Sequence, residues 1–256
     1  MLDSSLSLHQ HIAKVTSTCF FHLRRLRKLS CLFDIDARKR LVCALILTRA
    51  DYCNSALVGL PDSAFALLQR VLHAAARFFL ALRPWDHISS ALQTLHWLLV
   101  RQRITYKLCI LMHDVAFGYA PAYLLDAVVP LSLLPGRAHL RSVDSGEYDI
   151  PRTSSSMGSR AFSVVGPKAW NQLPTSVHHI NCVATFKLLL KTILFTEAYS
   201  VSPWRYLSLI RNFCFTAIFT LFSATVHFVS GTIQISIVIV IVNTHTGTGN
   251  TREFWQ

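Results

Sequence analysis

Along the first 200 positions, apolar residues recur at helical spacing. Ile12, Val15, Cys19 and Leu23 fall on one face of a first helix. Asp34-Ile35-Asp36 reads as a cap ahead of a second helix running to about Leu57. Its apolar face is Leu41, Val42, Leu45 and Ile46, and Arg38, Lys39 and Arg40 form its wet side. Gly59-Leu60-Pro61-Asp62 is a turn with a cap. A third helix from about Ser63 to Leu82 turns Phe65, Leu68, Leu72, Ala75, Ala76 and Phe79 inward and stops at Arg83-Pro84. The stretch from Asp86 to Gly118 passes through His96-Trp97 into a long amphipathic helix. Ile104, Leu108, Leu111, Met112 and Val115 are its predicted buried stripe, with Arg101, Arg103 and Lys107 outward. Pro121 opens a short helix, Ala122 to Val128. A last helix, about Val183 to Phe195, points Phe186, Leu189, Leu190 and Ile193 inward.

Between these helices, residues 130–166 turn to Pro, Gly, Ser and Arg, the composition of a loop. Arg137, Arg141, Arg152 and Arg160 make that loop basic, and the apolar bits within it are short strands or simply extended chain. Phe162, Val164, Val165, Trp170 and Leu173-Pro174 anchor it back onto the helices. The fold class expected is mainly α: a helical bundle, a basic irregular loop region and a further helix, then a separate hydrophobic tail. The expected segments are 1–33, 34–129, 130–200 and 201–256.

The tail changes the picture most. From Asn212 to Val242 there is no Lys, Arg, Asp or Glu, and Phe213 to Ile233 is about long enough to span a bilayer as a helix. Its Ser, Thr and His227 weaken that reading. Ile235-Ser236-Ile237-Val238-Ile239-Val240-Ile241-Val242 is low-complexity and β-prone. The near-dipeptide alternation continues through Gly249, as translation of a dinucleotide microsatellite would give.

Charge is concentrated elsewhere. Of 25 Lys+Arg only Arg211 and Arg252 follow Arg205, and the net charge is +12, which favours polyanions: nucleic acid or an anionic membrane surface. The cluster Arg24, Arg25, Arg27, Lys28 either complements the dipole at a helix C-terminus or contacts phosphates. Seven scattered cysteines without a CxxC pair argue against a disulfide framework and a zinc ribbon, and point to reduced thiols in a cytosolic or nuclear compartment. No signal-peptide pattern opens the chain.

Catalytic patterns are missing from the sequence. Two-metal nucleotide transfer needs adjacent carboxylates on a tight turn, and no Asp-Asp or Asp-Glu pair occurs. Walker, HExxH, GxSxG and GxGxxG motifs are equally absent. Asp34 and Asp36 could hold a metal, but their place before a helical run suits a cap. His96-Trp97 suits a core aromatic pair better than a base-stacking platform. His178-His179 has no acid or thiol at ligand spacing. No catalytic, metal or cofactor site is expected.

One family fits a series of short runs. Arg49-Ala50-Asp51-Tyr52-Cys53-Asn54-Ser55, Leu68-Gln69-Arg70-Val71, Ala74-Ala75-Ala76-Arg77, Asp86-His87, Leu95-His96-Trp97-Leu98 and Arg101-Gln102-Arg103-Ile104 come first. Ala120-Pro121-Ala122-Tyr123-Leu124, Leu140-Arg141-Ser142, Pro151-Arg152, Arg160-Ala161-Phe162-Ser163-Val164, Gly166-Pro167, Trp170-Asn171-Gln172-Leu173-Pro174 and Phe186-Lys187 with Leu190-Lys191-Thr192 follow, and the chain opens on Leu2-Asp3-Ser4-Ser5-Leu6-Ser7 with His11-Ile12. In this order they resemble the C-terminal region of non-LTR retrotransposon (LINE) polyproteins of the Jockey superfamily, over roughly residues 2–197. The resemblance implies a thumb, the helical bundle that grips a template–primer duplex, followed by the C-terminal extension. The family's endonuclease, fingers and palm, with the metal-binding aspartates, would lie upstream and have no counterpart here. No catalytic residue carries over, and residues 201–256 fall outside the likeness.

The expected function is therefore non-catalytic binding of an RNA or DNA backbone by a reverse transcriptase fragment. Arg24, Arg25, Arg27, Lys28, Arg38, Lys39 and Arg40 are the expected phosphate contacts, with Arg137 and Arg141 after them, and the missing palm is an implied packing partner. The rival from another class is a small membrane protein anchored near 213–233, with Arg205 and Arg211 on the cytosolic side. A third reading is a decayed element that is not expressed.

Overall fold

The stripe Ile12, Cys19 and Leu23 becomes the inner face of α1 (His9–Lys28), joined there by Thr16 and Leu26. The computed structural model describes residues 8–134 and 145–200, with the backbone of 227–229 and 232–234. Residues 1–206 form one unit and 207–256 another. The first unit is mainly helical.

Helix α1 lies against α4 (Asp62–Phe79), whose face of Phe65, Leu68, Leu72, Ala75 and Ala76 is buried as its periodicity requires, with Phe79 half-buried. Three residues of the expected third helix, Leu80, Ala81 and Leu82, are instead its stop. Leu82 N–H reaches the Arg77 carbonyl and Ala81 N–H the Phe78 carbonyl, which places Ala81 in the left-handed region at φ 53°. The expected second helix is also shorter. It runs as α2 (Ile35–Val42), one π-helical turn (Cys43–Leu47) and α3 (Thr48–Ala50), then breaks before Cys53, where φ is 52°, and resumes as a 3-10 turn over Asn54–Leu57. Asp34 caps α2 as expected, its Oδ1 accepting the Ala37 N–H at 2.8 Å.

Helix α5 (Ile88–Thr94) ends in the same stop as α4, with His96 at φ 52°. Both His96 and Trp97 are buried, so the pair is core and not a stacking platform. Helix α6 (Val100–Ala116) follows. It contacts α4, α8 (Phe162–Asn171) and α10 (Val183–Tyr199), and is the element the unit packs around. Ile104, Leu108, Met112 and Val115 are buried and Leu111 half-buried. The outward placement of Arg103 is overturned, because only 4% of it is exposed. Helix α7 covers Ala122–Leu125, shorter than expected, and α9 covers Thr175–His178.

The anchor residues Phe162 to Trp170 form α8, a helix the sequence did not announce. It accommodates Pro167 and brings Gly166 against Met112, where an added Cβ would sit 2.8 Å from Sδ. Trp170 is 1% exposed. Its Nε1–H donates to the Gly146 carbonyl, and buried His178 lies flat on the indole at 4.8 Å between centroids. Asn171 pairs with Tyr148 as a strand neighbour would. Its Oδ1 accepts the Tyr148 N–H at 3.0 Å and its Nδ2–H donates to the Tyr148 carbonyl at 2.8 Å. Asn171→Ala is expected to cost about 2 kcal/mol, because it strands both backbone groups in a part-buried place. Urea titration of the two proteins checks this, and a loss under about 0.5 kcal/mol would contradict it.

In the second unit, β1 (His227–Val229) pairs antiparallel with β2 (Thr232–Gln234). Positions 213–226, 230 and 231 of the candidate membrane span, and the 235–242 run, lie outside the described residues. Among the described residues no helix is long and apolar enough to cross a membrane.

Candidate nucleic-acid interface

The helical phase that buries Leu23 and Leu26 leaves Arg24, Arg25, Arg27 and Lys28 exposed over the last two turns of α1. Three of them, Arg25, Arg27 and Lys28, stand in the final turn, where cations also oppose the helix dipole. The Arg25 guanidinium lies 5.6 Å from the Phe21 ring centroid. Leu29 closes the helix, and a 3-10 turn (Ser30–Leu32) leads to Asp34 and into α2.

Arg38 ties this corner together. Its Nη2–H donates to the Ser30 carbonyl at 2.9 Å, fixing the start of α2 against the connecting turn. Arg38 is thus half-buried and partly committed to backbone, so its place is one of positioning more than phosphate contact. Arg40 is exposed and Lys39 half-buried, close enough to Cys43 for its charge to oppose the upward push of burial on that thiol. None of the seven cations is ion-paired with a carboxylate among the described residues. Against them stand Asp34, turned onto its cap, and exposed Asp36. The corner therefore carries seven positive and two negative side chains, a net +5.

Arg137 and Arg141 lie outside the described residues. Arg152 is exposed. Arg160 ties its own loop to the chain before α4, where its Nε–H donates to the Val58 carbonyl at 3.0 Å and its Nη2–H to that of Ala56. Among the described residues no group of His, Cys, Asp and Glu is placed to hold a metal.

The charge arrangement that sequence reasoning missed is internal. Arg103 Nη1 meets Asp51 Oδ2 at 2.6 Å, its Nε–H donates to the Leu98 carbonyl, and its guanidinium faces the Trp97 ring at 6.0 Å. Nearby are two more basic groups. Lys191 on α10 is 7% exposed, and burial, reinforced by the Arg103 charge, brings its ammonium down to about 7. His96 is pushed down to about 4 by burial and by Lys191. The Tyr199 hydroxyl donates to the Trp97 carbonyl at 2.7 Å and is held above its ordinary value by burial. One signal pointed to Lys191: it sits within an apolar helical run, beside Leu190 and four before the buried Phe195. All three basic groups are buried, so the cluster belongs to the core.

Compared with models of protein families, with curated proteins and with solved structures, the chain matches none.

Proposed function

We propose that this chain is a non-catalytic binder of RNA or DNA backbone, corresponding to the thumb and C-terminal extension of a LINE reverse transcriptase. The observation that carries the binding reading is the α1–α2 corner, where seven cations, five of them exposed, give a net +5 on a fixed helical frame. Phosphates would draw on Arg24, Arg25, Arg27, Lys28, Lys39 and Arg40, with Arg38 holding the frame. The link to the retrotransposon family rests on the ordered runs in the sequence.

Six such contacts predict affinity falling roughly a thousandfold between 50 and 200 mM salt. Replacing Arg24, Arg27 and Lys28 with glutamine should reduce the slope of log K against log salt by about 3, one for each cation removed. Fluorescence anisotropy of a labelled duplex or RNA with the full chain reads both. Binding indifferent to salt, or a slope unchanged in the triple variant, would refute the assignment.

The alternative, a membrane-anchored protein, rests on the charge-free stretch that includes 213–233. Alkaline carbonate extraction decides it: an anchored chain stays with the bilayer, and a chain recovered elsewhere is not anchored.

A further inference from the structure

The same corner carries a feature that phosphate binding leaves unused. Between the cations of α1 and those of α2, the chain presents aliphatic side chains to solvent: Leu29 is 48% exposed, Leu32 74% and Ile35 61%. These are not on a slack loop. Leu32 N–H bonds to the Leu29 carbonyl, Asp34 caps the following helix, and Arg38 grips Ser30 from the far side. The result is a hydrogen-bonded, solvent-exposed apolar tip flanked in sequence by Arg24, Arg25, Arg27 and Lys28 before it and Lys39 and Arg40 after it.

We propose that this tip is a wedge for double-stranded nucleic acid. Leu32 and Ile35 enter between adjacent base pairs from the minor groove, while the flanking cations hold phosphates. This rests on the phosphate-binding reading of the corner. Three observations choose the duplex. Aliphatic side chains inserted from the minor groove unstack and kink base steps, whereas single-strand binders use aromatic faces for stacking. The exposed aromatic of the corner, Phe21, is on the flank of α1 under Arg25 and not at the tip. A second copy of the chain is disfavoured as the occupant, because two corners of net +5 would repel. Asp34 and Asp36 adjoin Ile35 and oppose phosphates locally; Asp34 is turned onto the Ala37 N–H, and Asp36 remains in solvent.

Bending separates the wedge from simple backbone attraction. The full chain is mixed with a duplex of about 20–30 base pairs, labelled at both ends and carrying a central TA step, which is readily kinked. Energy transfer between the labels should rise on binding, as for a kink of roughly 20–90°. The Leu32→Ser/Ile35→Ser double variant alters exposed positions only. It should lose the bend and about tenfold in duplex affinity while keeping the salt slope of the parent. A double variant that bends and binds the duplex like the parent overturns the wedge but leaves phosphate binding standing. Absence of salt-dependent duplex binding in the parent overturns both. Equal affinity for duplex and single strand overturns the wedge. So does a double variant that loses binding to phosphatidylcholine/phosphatidylserine vesicles yet bends the duplex normally, because the tip would then serve a lipid surface.

Discussion

Replacing Asp51 with alanine is expected to destabilise the helical unit by about 3 kcal/mol, the low end for breaking a buried pair from one side. Asp51 itself is partly solvated, with 28% of its side chain exposed, but its partner Arg103 is 4% exposed. Removing the carboxylate leaves a guanidinium in the interior with the Leu98 carbonyl and a buried lysine close by. A unit of this size should lose about 6–12 °C in midpoint temperature. Asp51→Asn keeps an acceptor and removes the charge, so it should fall between parent and alanine variant. Urea unfolding followed by circular dichroism measures all three. A loss under about 1 kcal/mol in the alanine variant would show that solvent replaces the carboxylate, contrary to this account.

The second large effect has the opposite sign. Lys191→Met should stabilise the protein by about 3 kcal/mol at pH 6, and the gain should vanish by about pH 11. Burial lets the folded ammonium lose its proton near 7, against an ordinary 10.5. Below pH 7 both states carry the charge, so the fold bears the whole penalty. Between 7 and 10.5 the unfolded chain holds a proton that the folded chain has released, so stability of the parent rises with pH. Above 10.5 the lysine is neutral in both states. At about 1.4 kcal/mol per pH unit the 3.5-unit interval bounds the effect at roughly 5 kcal/mol, and relaxation around the ammonium lowers it. Other groups titrate oppositely in this window: burial raises Cys19 to about 11 and Cys109 to about 12. The comparison must therefore be between the two proteins at each pH, by chemical denaturation. A methionine variant less stable than the parent at pH 6 would mean that Lys191 contributes contacts outweighing the cost of its burial.

Both expectations concern residues that the linear pattern misread or passed over, and the reason is physical. Helical periodicity reports the average polarity of a face, and it located the inward side of α4 and the core of α6 from local spacing alone. An ion pair across 52 residues leaves no local trace, so the pattern places Arg103 in water simply because it is charged. Helix α8 was hidden differently. Gly166-Pro167 weakens a helix in isolation, and the helix is held by Met112 against Gly166 and by the Gly146 carbonyl that takes the Trp170 N–H, two partners outside its own composition. The candidate interface was easier to see. Four cations within five residues at the end of a helix must surface wherever Leu23 and Leu26 turn inward. What the pattern could not show is the hold of Arg38 on Ser30, which makes the corner a fixed shape.

The hydroxyl of Tyr199 reaches back 102 residues to the Trp97 carbonyl, and Phe195 of the same helix lies against His96 at 5.8 Å. This gives the molecule an order of assembly. A chain emerging from the ribosome can join α1 to α4 early, but the bend at His96-Trp97 stays uncovered until α10 has been made. The interval is on the order of 5–20 seconds at ordinary synthesis rates. During it, the apolar surface around the bend is open to chaperones or to aggregation, and α10 closes it.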